Sequence, residues 1–427
     1  MEETKRHKKG KQTKRVSLFS SQSGSKRRRR REVTEIILND DALDEIMVRL
    51  PVKSLIRFQT VSKDWKRIIT SKSFRERHML HQKTLEPRFL CIYEDRSWYK
   101  RNVALKTMRL DWSSTCLVES EEEEEYHTSD NDQDKALLVL SSPLDGLVCF
   151  YNHTDLTRPI KVINPATRWS LTLPLAKIQV ENLDKSAELP PPGFGKDYVT
   201  GTYKLILLHY INDDDNTSSS SCEVFDFGIK QWKQVMPPPL DHGNGIHNGE
   251  PTFANGWLYW FSQDKTKLVA FDLHMEMFRV FPNPITVSSS PSSLYMRMGS
   301  VDDERRLVWI SVTSGDGKQQ HVWRLTNHNT GGALSIMDKM FSFELNKIGS
   351  TWFDDHHPFH TTNSLLNLMA VSKNGNKVVL SKYGSLELFL YHPINPTSAL
   401  YRNFSFSPPR PTDSALLPYF PSLASPL

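Results

Sequence analysis

Apolar residues recur along this chain in two rhythms. From Leu38 to about Gln82 the rhythm is helical. Asn39 and Asp40 are helix N-cap residue types, and Asp41, Asp44 and Glu45 put negative charge in the first turn, where the helix dipole favours it. Leu43, Ile46, Met47 and Leu50 then fall at i, i+3, i+4 and i+7, forming one apolar stripe. Pro51 ends that helix and suits the first position of the next. Leu55 and Phe58 form a second stripe. Trp65, Ile68 and Ile69 form a third beyond a break near Val61–Ser62, and Phe74 opens a fourth short helix. About 45 residues of short helix are too few to make a self-sufficient core. The stripes must therefore be covered, either by the rest of the chain or by a partner chain.

From about residue 87 the rhythm shortens. Apolar runs of four to eight residues alternate with clusters of Gly, Pro, Asn, Asp and Ser, an all-β pattern. The runs include Ala136–Leu140, Gly146–Phe150, Tyr203–His209, Glu223–Phe227, Trp257–Phe261, Leu268–Phe271, Leu307–Val312, Lys377–Leu380 and Leu386–Tyr391. A repeat runs through them. Val224-Phe225-Asp226 precedes Trp232, and Ala270-Phe271-Asp272 precedes Phe278, each aromatic six residues after the acid and the two acids 46 apart. Val162-Ile163-Asn164 with Trp169 is a looser copy, and Phe389-Leu390-Tyr391-His392 is a candidate fourth. Each copy reads as a strand, a polar turn and an aromatic folded back on the strand. A period of about 40–50 residues with about four strands per unit predicts five to seven propeller blades, the last apolar segment pairing with the first to close the ring. The expected fold class is α+β multidomain, a small all-α module over 34–82 followed by an all-β propeller-like domain over 87–407. Residues 1–33 and 408–427 are expected to be disordered tails.

Charge sharpens this division. Residues 1–31 hold thirteen Lys and Arg against Glu2 and Glu3, a charge of +11, which leaves −6 on the rest of a chain whose total is +5. A basic tail on a mildly acidic body argues against a nucleic-acid-binding domain. The cluster Lys26, Arg27, Arg28, Arg29, Arg30 and Arg31 has the composition of a nuclear import signal, with a solvated polyanion-binding arm as the alternative. Location in the nucleus, the cytoplasm or both is expected. The longest apolar stretch, around Leu205–Ile211, falls far short of the roughly 18 residues of a spanning helix, and no apolar leader segment follows Met1. Cys91, Cys116, Cys149 and Cys222 are too far apart for a zinc pattern and fit a reducing compartment.

Two stretches carry a family resemblance. Ile37-Leu38-Asn39-Asp40-Asp41-Ala42-Leu43-Asp44-Glu45-Ile46, then Arg49-Leu50-Pro51-Val52-Lys53-Ser54-Leu55-Ile56-Arg57-Phe58, Val61-Ser62-Lys63-Asp64-Trp65-Lys66-Arg67-Ile68-Ile69 and Ser73-Phe74, resemble a plant-type F-box. The resemblance implies docking to a Skp-family adaptor and, through it, to a cullin–RING ligase. It implies that the docking and scaffold residues include Leu38, Asn39, Leu43, Ile46, Leu50, Pro51, Leu55, Phe58 and Trp65. The chain departs from the family pattern at Asn39, where the family carries Pro on its adaptor surface, which implies weakened adaptor affinity, and at Ser62, often Cys. Pro143-Leu144-Asp145-Gly146-Leu147-Val148-Cys149 with Asn164-Pro165-Ala166-Thr167-Arg168 is similar to the F-box-associated, kelch-like domain. So are Gly193-Phe194-Gly195-Lys196-Asp197 with Tyr203-Lys204, and Ala254-Asn255-Gly256-Trp257-Leu258-Tyr259-Trp260 with Phe271-Asp272-Leu273. Kelch blades usually carry a double glycine, and this chain has only Gly331-Gly332.

Other chemistry is thin. Gly193–Lys196 lacks the spacing of a phosphate loop and reads as a turn. Asp354, Asp355, His356, His357 and His360 form the densest group of metal-ligand types, but read as a polar loop between blades, so no metal and no cofactor is expected. The acidic run of Glu119 and Glu121–Glu125 reads as a solvated loop, as does Asp213–Ser221. No GxSxG, HExxH or kinase-like set occurs. The expected function is that of a non-catalytic substrate-recognition subunit of an SCF-type ubiquitin ligase. The alternatives are a nuclear nucleic-acid-associated regulator using the tail, and a propeller that binds small molecules or sugars.

Overall fold

A computed structural model describes residues 40–85, 88–97, 100–111, 116–126, 138–139, 143–151, 158–181, 190–211, 219–240, 245–285, 296–302, 307–313, 319–326, 334–344, 366–372, 377–382, 387–392, 403–405 and 414–426. The chain divides into two compact units, Met1–Thr84 and Leu85–Leu427. The tail 1–31 with its cationic cluster, Leu38, Asn39, Gly331-Gly332 and the Asp354–His360 group lie outside the described residues.

The first unit holds four helices, α1 (Asp40–Val48), α2 (Val52–Phe58), α3 (Lys63–Thr70) and α4 (Lys72–Thr84). Their breaks follow local chemistry. Pro51 is the N-cap of α2 rather than its first helical residue. Ser62 caps α3, its Oγ accepting the Trp65 N–H at 3.1 Å. Met47, Val48, Val52, Leu55, Ile69 and Phe74 form the buried set. At its edge Arg77 pairs with Asp44, tying α4 to α1.

The second unit contains, among the described residues, six four-stranded antiparallel sheets. Sheet 1 holds β1 (Arg88–Ser97), β2 (Lys100–Asp111) and β3 (Cys116–Tyr126). Sheet 2 holds β4 (Leu138–Val139), β5 (Val148–Tyr151), β6 (Lys161–Asn164) and β7 (Trp169–Thr172). The helix α5 (Lys177–Glu181) precedes sheet 3, made of β8 (Gly193–Lys196), β9 (Tyr203–Ile211), β10 (Ser219–Asp226) and β11 (Gln231–Val235). Sheet 4 holds β12 (Thr252–Ala254), β13 (Trp257–Phe261), β14 (Lys267–Asp272) and β15 (Met277–Pro282). Sheet 5 holds β16 (Met296–Asp302), β17 (Leu307–Thr313), β18 (Gln319–Thr326) and β19 (Ser335–Glu344). Sheet 6 holds β20 (Leu366–Val371), β21 (Val378–Lys382), β22 (Glu387–Tyr391) and β23 (Asn403–Ser405). The last strand, β24 (Ser414–Tyr419), returns to sheet 1 and gives it the order β24-β1-β2-β3.

The sheets meet face to face through apolar seams that run round a ring. Leu90, Ile92 and Leu105 of sheet 1 pack with Val148 and Ile163 of sheet 2. One large cluster spans sheets 2, 3 and 4 through Cys149, Val162, Leu205, Val224, Trp260 and Phe271. Tyr259 and Leu268 meet Val308 and Ile310 between sheets 4 and 5, and Trp309 and Val322 meet Leu368 and Leu380 between sheets 5 and 6. Met369 and Leu390 of sheet 6 close onto Phe89, Met108 and Leu416 of sheet 1. This is a propeller, and β8, β12, β16, β20 and β24 follow one another along its inner side. Cys91, Cys149 and Cys222 are buried in it, and burial pushes the Cys149 and Cys222 thiols up.

Among the described residues, the repeat seen in the sequence is a hairpin built three times. Phe225 faces Trp232 across β10 and β11, and Phe271 faces Phe278 across β14 and β15, with ring centroids 5.2 and 4.6 Å apart. The acid caps the turn, and Lys230 and Glu276 take left-handed φ angles of 57° and 55° before the chain reverses. Asn164 and Arg168 do the same between β6 and β7.

Four expectations are corrected. Residues 414–426 are not a loose tail: β24 pairs with β1 from Arg88↔Tyr419 to Tyr93↔Ser414. Pro418 sits on an edge strand, where proline is tolerated. Beyond it Asn164 Nδ2 donates to the Ser422 and Ala424 carbonyls at 3.1 and 2.9 Å, and the Ser422 hydroxyl donates to the Asp145 carbonyl, so the end is fastened to sheet 2. Gly146 is required beneath it, because its φ is +79° and an added Cβ would lie 2.8 Å from the Phe420 carbonyl oxygen. Second, the acidic run lies on strand β3, at an edge of sheet 1, rather than in a loop. Third, Gly193–Lys196 is an inner strand rather than a turn, and Cβ atoms on Gly193 and Gly195 would meet Trp260 and Phe253 of sheet 4. Fourth, Ser219–Ser221 belong to β10, while 212–218 lie outside the described residues. The β region also contains α5, unread in the sequence, held by Gln179 Oε1 accepting the Ala176 N–H and Glu223 accepting the Ile178 N–H.

Closure is testable at Tyr419, whose ring is 1 % exposed in the seam between sheets 1 and 2. Tyr419→Ala is expected to destabilise the β unit by about 3–5 kcal/mol. Chemical denaturation of the full chain measures it; a loss below about 1 kcal/mol contradicts a closing role for β24.

Candidate functional site

The helical unit divides the residues singled out in the sequence. Leu55 is 0 % exposed and belongs to the scaffold, whereas Ile46 is 46 % exposed and Pro51 faces solvent. Leu43, Leu50, Phe58 and Trp65 are half-buried, and the Phe58 and Trp65 rings touch at a centroid distance of 5.2 Å. One i, i+3, i+4, i+7 stripe on α1 thus serves two surfaces, Met47 turning inward and Ile46 outward. Val61, 61 % exposed just before the α3 cap, stands outside the apolar stripes although an apolar residue in a helix break was the available sign. His78 is a buried residue that sequence reasoning passed over. Its Nε2 donates to the Leu50 carbonyl at 3.0 Å, holding the α1–α2 corner against α4, and burial lowers its pKa below 6.5.

In the β unit the ionisable side chains gather where sheets 2, 3 and 4 adjoin. Asp145, in the Leu144–Leu147 turn, accepts from Lys196 Nζ at 3.0 Å and from the Tyr203 hydroxyl at 2.7 Å. Lys204 on β9 is buried. It donates to the Leu273 carbonyl at 2.6 Å and to Glu276 at 2.7 Å, and lies 3.7 Å from Asp197. Lys233 on β11 grips the other Glu276 oxygen at 2.5 Å. Asp197 also accepts the Val199 N–H at 2.9 Å and the Thr200 hydroxyl at 2.7 Å, and meets His274 Nδ1 at 3.2 Å.

Burial pushes the Asp197 carboxyl up, but the hydrogen bonds from Thr200, Val199 and His274 outweigh it and hold the pKa below its ordinary 3.8. Burial and the two lysines act in the same opposed way on Glu276, again with a net lowering from 4.5. The arrangement is an ion-pair brace. Thr200 donates to Asp197 and not to His274, so the nucleophile-to-base hydrogen bond of an acyl-transfer triad is not formed. Among the described residues no group of three or more His, Cys, Asp and Glu is placed to hold a metal ion.

Comparison with known proteins follows this division. A family model described as F-box domain matches residues 36–77, and one described as F-box associated beta propeller domain matches 100–329. The Arabidopsis thaliana F-box protein At5g10340 is 31 % identical over 338 residues, covering 73 % of this chain and 71 % of its own length. The F-box protein At2g34280 of the same plant is 28 % identical over 425 residues, covering 91 % of this chain and 99 % of its own length. Its putative F-box/kelch-repeat protein At1g13200 is 28 % identical over 413 residues, with 91 % and 90 % covered.

Lys204→Met tests the brace. At neutral pH the change leaves Asp197 and Glu276 without their buried partner, and the expected cost is about 3–5 kcal/mol. Lys204 helps to lower the Glu276 pKa, so the stability that this pair contributes is present above about 4.5 and is lost as pH falls through the folded value. Denaturation of the wild type and variant at pH 7 and below 4.5 should show the gap narrowing in acid; a gap that stays constant contradicts the brace.

Proposed function

The chain belongs to the F-box proteins that carry an F-box-associated β propeller, and on that basis we propose that it is the substrate-recognition subunit of an SCF-type ubiquitin ligase. The helical unit takes a Skp-family adaptor, and the propeller holds the protein to be ubiquitinated. The observation that carries the reading is the F-box match over 36–77, falling on helices that keep Ile46, Pro51 and Val61 in water.

The energetics favour a protein partner on that face. Fully burying one such side chain contributes roughly 1.5–3 kcal/mol, so three or four together outweigh much of the cost of association. The chain itself need form no covalent bond. Holding the target near a charged conjugating enzyme raises the effective concentration of its lysines, and that is the whole catalytic contribution expected of a receptor.

Co-purification of the full chain with a Skp-family adaptor tests the reading. The double variant Leu50→Ala, Pro51→Ala and the separate variant Val61→Asp are each expected to weaken capture at least tenfold. The second changes an exposed side chain, so its fold should survive, and an unchanged melting transition checks that. Undiminished capture by both variants, or no capture by the wild type, counts against the assignment.

A further inference from the structure

We propose that Asn248 is a site of self-modification: its side-chain amide closes on the Gly249 backbone nitrogen, the His247 imidazole takes the proton, and the ring opens to aspartate or isoaspartate. The chemistry needs no partner and no part of the receptor reading.

Asparagine is a thermolabile residue, and one that precedes glycine is the most open to ring closure. Glycine has no Cβ to crowd the approach of its nitrogen to the amide carbon, and its backbone turns freely enough to bring the two together. The segment Ile246-His247-Asn248-Gly249-Glu250 leads into β12. Its first half is pinned to sheet 4. Ile246 bridges to Ser262, the His247 N–H donates to the Phe261 carbonyl at 2.9 Å, and the Gln263 N–H donates to the Gly245 carbonyl at 2.8 Å. The chain then bends at 248–249, and Asn248 is exposed to water.

What singles out this pair is the group that meets the nucleophile. The Gly249 N–H donates to His247 Nδ1 at 3.0 Å. Nδ1 is therefore the unprotonated ring nitrogen, with the proton on Nε2. It stands within reach of the proton that the Gly249 nitrogen must lose, the position of a general base. Burial lowers the His247 pKa below 6.5, and two cations add to the effect, Lys265 from the turn between β13 and β14 and Arg297 from β16. Glu250, the acid on the same segment, is exposed to water. The ring is thus neutral, and able to act as a base, at pH 7.

The reaction balances with water alone as co-reactant. The Gly249 nitrogen bonds to Asn248 Cγ as its proton passes to His247 Nδ1. The Cγ–Nδ2 bond then breaks, and Nδ2 leaves with that proton as ammonia. Water opens the succinimide at one carbonyl or the other, giving aspartate or isoaspartate at 248 and restoring the Gly249 N–H. Either product adds a negative charge beside a histidine that already feels Lys265 and Arg297. Isoaspartate also adds one main-chain carbon between the pinned His247 and β12. Asn255-Gly256 is the internal contrast: it is half-buried in the tight turn between β12 and β13, with φ angles of 53° and 78°.

The test ages the full chain at 37 °C and pH 7.4, then sequences the tryptic peptide 234–265, which carries both asparagines, by tandem mass spectrometry. Methyl transfer by an isoaspartyl methyltransferase confirms the isoaspartate. Conversion at Asn248 should outpace that at Asn255 at least threefold. The variant His247→Asn, whose Oδ1 can still accept the Gly249 N–H but is no base, should slow conversion at Asn248 at least threefold with an unchanged melting transition. The two rates should converge near pH 5, where the wild-type ring is protonated. Between pH 6.5 and 8 the wild-type rate should climb less steeply than hydroxide concentration, and that profile decides the matter if the variant does not fold. An Asn248 no faster than Asn255, a rate indifferent to His247, or a wild-type rate proportional to hydroxide overturns the proposal.

Discussion

Burial of apolar surface is the constraint on which both units of this chain turn, and they meet it differently. In the propeller every sheet uses both faces, so an open row of sheets would leave two faces wet. The chain solves this by carrying β24 back to β1 and fastening the following residues under Asn164 and Gly146. The helical unit meets the constraint only in part. Its core of Met47, Val52, Leu55, Ile69 and Phe74 is complete, but Ile46 and Val61 remain uncovered beside it. On the proposed reading, these exposed side chains are the surface that a docking module keeps for its partner.

The ion pairs around Lys204 hold turns of the propeller in position. Lys204 is the hub, because it is buried on β9 yet reaches the turn of the neighbouring sheet at Leu273 and Glu276. Buried charges are costly unless paired, and here pairing joins two sheets at the end where their turns carry exposed apolar groups.

The sequence disclosed the elements that are buried on both sides. Trp257–Phe261 reads as a continuous apolar run and is strand β13, buried throughout. The outer strands β7, β11 and β15 alternate between exposed and half-buried positions and break up into apparent loops. Strand β3 was hidden by its own charge, because glutamates on an edge strand resemble a solvated loop. Strand β24 was hidden by distance: Ser414–Tyr419 is short and contains Pro418, and only its pairing with β1, at the far end of the chain, makes it a strand. Periodicity likewise locates the α1 stripe but cannot say that Met47 faces the scaffold and Ile46 faces out, since adjacent apolar residues satisfy the same pattern.

Hydrogen exchange of the full chain, free and saturated with a Skp-family adaptor, bears most directly on the central claim. Protection is expected over residues 43–51 and 58–65, around Ile46, Pro51, Val61 and Trp65, with the turns at 198–201, 228–230 and 273–276 exchanging as before. Protection confined to the propeller, with the helical unit unaltered, would contradict the account.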